Sequence, residues 1–461
     1  MPERLIVIGG DAAGMSAASQ ARRRRGPNDL EIVAFDRGDF TSYSACGIPY
    51  FVADTVTDLN ALIVRTPEEF RDKQQIDVRM RTEIVEIDLD KRAVKARALD
   101  DGTESWAGFD LLMIATGGIP VRPSLDGGDA RGIFGVQTLN DGVMVRDVVT
   151  DAKPKHAVVV GGGYIGLEMA EAFIVRGMEV ALVDEGPQPM ATLDPDMGVL
   201  VADAMQGMGI DVYTDERVSG FEKNRDGYVT KVVTTERELH ADIVVLGLGT
   251  RPNVELARAA GIEIGVSGGI AVDRQMQTSA EGVWSAGDCA EKFHLVARRP
   301  VALPLGTHAN KEGRVAGINI GGGYATFPGV VGTAVSKVCD VEVARTGLKE
   351  SEAIAAGFDY LTSAIDSTTR AGYFPGAAPI RTKMIVEKRS GRLLGAQIVG
   401  KEGAAKRIDA IATALWNEMT VGQMLNMDLS YAPPFAPVWD PVLIAARKAW
   451  EKVEETLVDI R

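Results

Sequence analysis

The segment RLIVIGGDAAGMSAASQARRRRGPNDLEIVAFD, residues 4–36, decides the fold of this chain. Its pattern predicts a buried strand, a glycine turn at residues 9–14, a helix, and a second strand that leads to Asp36. This spacing is typical of a dinucleotide-binding unit, in which glycines bring the backbone close to a pyrophosphate and the acid holds a ribose hydroxyl. Asp11 stands where the second glycine belongs, so its side chain must turn away from the pyrophosphate. The predicted contacts are Gly9, Gly10, Ala13, Gly14 and Asp36.

A second copy of this unit begins with the apolar residues 157–160 and carries all three glycines in the turn 161–166. The helix that follows the turn would offer unpaired N–H groups and a positive dipole to phosphates. Its acid is Asp184, followed by Glu185 and by no Arg or Lys up to Pro189. This predicts NADH rather than NADPH, because a carboxylate repels a 2′-phosphate. The predicted contacts are Gly161, Gly163, Tyr164, Ile165, Gly166 and Asp184.

Length, charge and cysteine usage exclude several classes of protein. A chain of 461 residues exceeds one compact core and predicts about two to four domains. A net charge of −14 argues against nucleic-acid binding, and no segment has the roughly 20 apolar residues of a membrane helix. The first strand begins almost at once and leaves no room for a signal peptide, so we expect a cytoplasmic protein. No disulfide framework or metal site is expected, because the three cysteines are far apart: Cys46, Cys289 and Cys339.

The remaining chain predicts the domain limits. Buried strands break into glycine turns at 115–117 and before Gly249, which suits crossings between domains. After residue 327 the chain changes to shorter strands, later helices and a proline-rich segment. We expect a first dinucleotide domain built from 1–115 and 246–326, a second from 116–245, and a C-terminal domain from 327–461.

The order of these motifs resembles the flavin-dependent pyridine nucleotide–disulfide oxidoreductases, and most closely the coenzyme A-disulfide reductases with a single redox cysteine. The resemblance covers essentially the whole chain. It is carried by the two glycine turns, by Ala115-Thr116-Gly117 and Ala286-Gly287-Asp288, and by Cys46 with the segments 18–23, 65–68, 373–376, 399–409 and 431–434. It implies an α/β fold with two Rossmann-like domains of the glutathione-reductase type and an α+β C-terminal dimerisation domain.

The resemblance also implies cofactors and partners. FAD would bind the first unit, with Asp288 on the ribityl chain, and NADH would bind the second. Two chains would form a homodimer in which Tyr373 and Tyr431 reach the partner's active site and serve the departing thiolate. Arg22 and Ser42 would contact coenzyme A. Further residues placed at the cofactors are Ala115, Thr116, Gly117, Gly249, Gly287, Asp288, Pro304, Leu305 and Thr307.

Cys46 would carry the chemistry. The positions five residues before and after it are Thr41 and Phe51, so the internal Cys-x4-Cys pair of a two-cysteine reductase is absent. A lone thiol must work as a mixed disulfide with a small thiol or as a sulfenic acid. We expect NADH to reduce FAD, and FAD to reduce a mixed disulfide at Cys46, with coenzyme A disulfide as the favoured substrate.

Three alternatives stay open. An NADH oxidase or peroxidase would use a sulfenic acid at Cys46, although such relatives carry a histidine in the first glycine turn where this chain has Ala12. A persulfide or polysulfide reductase is the second alternative; relatives of that kind often add a rhodanese domain, for which this chain leaves no room. The third is a flavoprotein that senses redox state and signals by binding a partner.

Overall fold

The computed structural model describes residues 2–458, so that residues 459–461 of the predicted C-terminal domain lie outside the described part. The elements before the second glycine turn are β1 (Glu3–Ile8), α1 (Ala12–Arg24), β2 (Leu30–Phe35), α2 (Ile48–Val52), α3 (Pro67–Gln74), β3 (Ile76–Arg79), β4 (Thr82–Asp88), β5 (Ala93–Ala98), β6 (Glu104–Gly108), β7 (Leu111–Ile114), β8 (Gly118–Pro120), β9 (Ile133–Gly135), α4 (Leu139–Asp151) and β10 (His156–Val160).

The middle of the chain contains α5 (Tyr164–Val175), β11 (Glu179–Val183), α6 (Pro195–Gly207), β12 (Ile210–Tyr213), β13 (Val218–Lys223), β14 (Val229–Thr234), β15 (Glu238–His240), β16 (Ile243–Leu246), β17 (Thr250–Pro252), α7 (Glu255–Ala259), β18 (Val283–Ser285), β19 (Lys292–His294), β20 (Arg299–Val301) and α8 (Gly306–Ile320). The last third contains β21 (Ala334–Val338), β22 (Val341–Gly347), α9 (Glu350–Ala355), β23 (Tyr360–Thr368), β24 (Pro379–Glu387), β25 (Leu393–Gly400), α10 (Ile408–Trp416), α11 (Val421–Met424) and α12 (Pro441–Val458).

The first sheet is parallel and has the strand order β18-β7-β1-β2-β3. Its strands are almost continuously apolar because both faces are covered. Helices α1 and α8 pack together on one face, where a Cβ on Gly313 would lie 2.3 Å from the carbonyl oxygen of Ala13. The antiparallel sheet β4-β5-β6 contributes to the core on the other face.

The second sheet repeats this plan with the parallel order β12-β11-β10-β16-β9, next to a small antiparallel sheet, β13-β14-β15. The third sheet is antiparallel, β21-β22-β25-β24-β23, and forms a core with α10, α11 and α12. The predicted fold class is therefore confirmed, with two parallel dinucleotide-type sheets and an α+β unit after them. The domain limits given above stay our proposal. Within the described residues, no helix is both long and apolar enough to cross a membrane.

Candidate functional site

A cavity of about 2750 Å³ is lined by both glycine turns, by the Cys46 segment and by the start of α8. The two turns follow β1 and β10 at the carboxyl ends of parallel strands, which is where open α/β sheets bind ligands. The predicted site residues in its lining are Gly9, Ala13, Asp36, Ser42, Cys46, Ala115, Thr116, Gly117, Gly161, Gly163, Tyr164, Ile165, Asp184, Gly249, Gly287, Asp288, Pro304, Leu305 and Thr307.

Three predicted glycines lie outside the lining, and two of them have a packing role. A Cβ on Gly14 would lie 1.9 Å from the carbonyl oxygen of Gly9, and one on Gly166 would lie 2.0 Å from that of Gly161. These positions admit only hydrogen because the helix crosses its strand closely there. The third, Gly10, donates its backbone N–H to Asp36.

The two strand-end acids are held in the same way. Each carboxylate accepts two backbone hydrogen bonds, at 2.7 Å and 2.7 Å for Asp36 and at 2.5 Å and 2.7 Å for Asp184. Burial raises the pKa of Asp36. The donors are Gly10 and Gly38 for the first acid, and Gly162 and Gly186 for the second.

The N-termini of α1 and α5 are free to bind phosphate. The N-cap residue of α1, Asp11, makes no side-chain hydrogen bond to the first turn, and that of α5, Gly163, has no side chain. By contrast, α3 and α4 are closed by capping boxes at Thr66 and Thr138. Uncapped N–H groups at a helix N-terminus are a ready anion site. The two turns therefore fit the pyrophosphates of two dinucleotides.

Asp11, which replaces the second glycine of the first turn, has a carboxyl group with a raised pKa. Asp11 lines the cavity, and its Oδ1 accepts a 3.4 Å hydrogen bond from the backbone N–H of Tyr43. Burial, together with the nearby Asp36 and Asp288, raises the pKa of Asp11 to about 6. Burial likewise raises the pKa of Asp288. Asp11 and Asp288 are thus easier to protonate than exposed aspartates.

Cys46 is an exposed free thiol in a short helical turn that leads directly into α2. Although the residue is exposed to the cavity, the surrounding protein partly desolvates its thiol, and this desolvation, followed by the charge of Glu168, raises the pKa of Cys46. A thiolate there needs a positively biased neighbour, which these protein groups do not supply. Cys289 and Cys339 are buried.

Glu168 is a cavity residue that the sequence interpretation missed. Its Oε1 accepts a 2.9 Å hydrogen bond from the hydroxyl of Ser336 on β21, and burial raises its pKa. The signal was an acid two residues after the glycine turn, on a helix whose other inward residues are apolar. The third sheet therefore contributes to the wall of the cavity.

The two predicted tyrosines lie apart from this cavity and close to each other. Tyr373 is 78% exposed and Tyr431 is 46% exposed, and a hydrogen bond between the two hydroxyls raises the pKa of Tyr431. Three exposed apolar residues follow in the same part of the chain: Phe435, Val438 and Trp439. The role of the tyrosines in a partner's site stays a prediction.

Arg22 is held by backbone carbonyls. Its guanidinium donates to the oxygens of Leu30 at 2.7 Å, Gln75 at 3.0 Å and Arg25 at 3.1 Å, and burial lowers its pKa. These bonds fasten the end of α1 to β2 and to the start of β3. This geometry favours a structural role, and a contact with coenzyme A stays a prediction.

Comparison with known proteins agrees with this geometry. Residues 3–313 match the family described as pyridine nucleotide-disulphide oxidoreductase, and residues 333–441 match the dimerisation domain of that family. The chain is 40% identical over 445 residues to the NAD(P)H sulfur oxidoreductase (CoA-dependent) of Pyrococcus abyssi, covering 96% of this chain and 97% of that protein.

The coenzyme A disulfide reductase of Staphylococcus epidermidis is 27% identical over 447 residues, covering 97% of this chain and 99% of that protein. Among solved structures, the NAD-dependent persulfide reductase of A. fulgidus superposes with a TM-score of 0.94 at 40% identity, covering 98% of this chain and 84% of that one. Other relatives carry the name NADH oxidase. The resemblance stated from the sequence is confirmed. The chain belongs to the pyridine nucleotide–disulfide oxidoreductases, is an enzyme of the kind that uses FAD and NAD(P)H, and carries the dimerisation domain of that family.

Proposed function

We propose that this protein reduces a small-molecule disulfide or persulfide with NAD(P)H, through FAD and the thiol of Cys46. The observation that supports this most strongly is that an exposed, free Cys46 lines the same cavity as both glycine turns. The two other cysteines of the chain are buried, so no second thiol stands ready to form an internal disulfide with it.

The protein would hold both cofactors by their phosphates and riboses. The uncapped N-termini of α1 and α5 would bind the pyrophosphates, Asp36 and Asp184 the riboses, and Asp288 the ribityl chain. When bound, FAD supplies the transfer of two electrons from the nicotinamide to sulfur. The carboxylate of Asp184 supports NADH as the preferred donor.

Cys46 would form and lose one covalent bond in each cycle. Its thiolate attacks one sulfur of the substrate R–S–S–R′, a Cys46–S–R bond forms, and R′S⁻ leaves and takes a proton. Two electrons then cleave the mixed disulfide, restore the Cys46 thiolate and release RS⁻. The sum is NADH + H⁺ + RSSR′ → NAD⁺ + RSH + R′SH. In a homodimer, the partner's Tyr431 would donate to the leaving sulfur.

The favoured substrate carries coenzyme A. The resemblance to coenzyme A-disulfide reductases supports coenzyme A disulfide, and the name of the Pyrococcus abyssi relative includes dependence on coenzyme A. A persulfide of coenzyme A is the second candidate, because the A. fulgidus protein is named a persulfide reductase. With that substrate, the outer sulfur leaves as hydrosulfide, so the products are one thiol and hydrogen sulfide.

The test uses the purified holoenzyme under anaerobic conditions. NADH oxidation is followed with coenzyme A disulfide, with coenzyme A persulfide, and with neither, for the wild type and for Cys46→Ser. Cys339→Ala is the matched control, because this cysteine is buried in the turn between β21 and β22. We expect Cys46→Ser to lose turnover with both substrates while NADH still bleaches the flavin, and the control to keep both activities.

Other outcomes support the alternatives. Turnover that persists in Cys46→Ser would refute the proposal. Fast NADH oxidation by oxygen, with slow turnover of either sulfur substrate, would favour an oxidase. Flavin reduction without turnover, together with altered partner binding, would favour a redox sensor.

A further inference from the structure

Two of the four histidines of the chain meet far from the redox cavity. His156 is the first residue of β10, whose other end leads into the second glycine turn, and His240 is the last residue of β15. Their ring centroids lie 4.5 Å apart, with the planes at 70°. Strands rise about 3.3 Å per residue, so β10 separates this pair from the dinucleotide turn by roughly 15 Å.

A carboxylate joins the two rings. Asp242 Oδ2 lies 3.2 Å from His156 Nδ1, and Asp242 Oδ1 lies 3.6 Å from His240 Nε2. Zinc bonds of about 2.0–2.2 Å in a tetrahedron place neighbouring ligand atoms about 3.3–3.6 Å apart. One ligand atom from each of the three side chains lies within 4.8 Å of the other two, so small side-chain movements would bring all three onto one ion.

Neighbouring groups also hold the side chains of Asp242 and His156 in position. Asp242 accepts backbone hydrogen bonds from Lys155 at 2.9 Å and from His156 at 3.0 Å, which hold its carboxylate in place. On the far side of the His156 ring, Nε2 lies 3.5 Å from a carboxylate oxygen of Glu179. A small shift of Glu179 would let it accept the Nε2–H of His156 and leave Nδ1 for a metal, as in carboxylate–histidine–metal arrangements.

We propose that His156, His240 and Asp242 bind a divalent first-row cation, with zinc favoured, and that Glu179 orients His156. Two imidazoles with one carboxylate suit such ions, and water would complete the coordination. The ion would join the start of β10 to the segment between β15 and β16 and thereby stabilise the second sheet. The acidic cluster of Asp194, Asp196 and Glu350 is different, because the Lys383 ammonium lies 2.5–3.2 Å from its oxygens and occupies the place of a cation.

The test measures zinc binding to the full-length protein by titration calorimetry at pH 7.5, after chelator treatment and after alkylation of Cys46 to block that thiol. The wild type is expected to bind one Zn²⁺ per chain, and His240→Gln is expected to lose this binding by at least about 100-fold. Glu179→Gln should weaken binding by about 10–100-fold, as the loss of an orienting partner does. Glu238→Gln, on the same strand as His240 and paired with Lys231, is the matched control and should bind as the wild type does.

A second readout guards against misfolded variants. Zinc should raise the melting temperature of the wild type and of Glu238→Gln, but not that of His240→Gln, whose side chain is 58% exposed. Affinity should also fall on going from pH 7.5 to pH 5.5, because imidazole must lose its proton to bind metal. The proposal is overturned if the wild type binds no zinc at micromolar concentration, or if His240→Gln binds it as tightly as Glu238→Gln.

Discussion

The ammonium of Lys292 lies 3.5 Å from the carboxylate of Glu312, and the two side chains are 1% and 0% exposed. The ammonium also donates to the carbonyl oxygen of Gly287 at 2.8 Å, while Glu312 accepts the N–H of Gly287 at 2.8 Å. The carbonyl oxygen of Gly287 thus accepts from a buried ammonium, and its N–H donates to a buried carboxylate. The next residue, Asp288, lines the cavity, so this pair fixes the turn that presents it.

Removing one member of the Lys292–Glu312 pair should destabilise the folded protein. We expect Lys292→Met to lower the free energy of unfolding by about 3–5 kcal/mol, because a buried carboxylate then lacks its partner. Urea denaturation at pH 7 measures this. The double variant Lys292→Met with Glu312→Leu should recover much of the loss. Equal urea midpoints for Lys292→Met and the wild type would contradict this account.

Asp11→Asn should change the pH dependence of stability. Burial raises the pKa of Asp11 to about 6 in the folded chain from an ordinary 3.8, so the folded chain binds this proton more tightly than the unfolded chain does. The free energy of unfolding therefore falls as the pH rises through this range. In the FAD-free protein, the free energy of unfolding of the variant should be close to that of the wild type at pH 4. At pH 7 it should be higher than that of the wild type by up to about 3 kcal/mol.

The matched control for this change is Asp72→Asn, at an exposed position of α3. The difference in the free energy of unfolding between this variant and the wild type should stay constant from pH 4 to pH 7. A constant difference for Asp11→Asn as well would contradict the raised pKa. The asparagine Oδ1 can still accept the N–H of Tyr43, so the variant removes charge and keeps the hydrogen bond.

Asp184→Asn should shift the choice of nicotinamide cofactor. The amide keeps the side-chain volume at the end of β11 but no longer repels a 2′-phosphate. We expect the ratio of kcat/KM for NADPH to that for NADH to rise by about tenfold or more, equivalent to about 1.4 kcal/mol. Steady-state kinetics with both cofactors measure the ratio. Asp203→Asn, at an exposed position of α6, should leave it unchanged.

Arg146 joins α4 to the helix that follows Cys46. Its guanidinium carbon lies 4.0 Å from the centroid of the Phe51 ring, and its nitrogens donate to the carbonyl oxygen of Thr57 at 3.0 Å and to Asp54 at 2.5 Å. Arg146→Met should lower the free energy of unfolding by about 1–3 kcal/mol and speed alkylation of Cys46. Arg146→Lys keeps the charge without the planar fork, so its effect should be intermediate. An unchanged alkylation rate in Arg146→Met would show that this contact does not hold the cysteine segment.

Much of the fold followed from local patterns. The two glycine turns, the strand-end acids Asp36 and Asp184, and the buried parallel strands each occupy a short run of sequence, and the structure brings both turns into one cavity. The lack of a partner cysteine near Cys46 was also predictable, because the spacing of the cysteines is visible in the chain itself, whereas its exposure became known from the structure.

The tertiary structure alone decided which distant side chains meet. Glu168 receives a hydrogen bond from Ser336, Lys292 is buried with Glu312, and His156 lies beside His240. It also gave the Arg22 guanidinium three backbone carbonyls as partners. Turn and strand patterns are local because backbone sterics and side-chain periodicity act over a few residues, whereas desolvation and charge pairing depend on contacts that form only when separate segments pack.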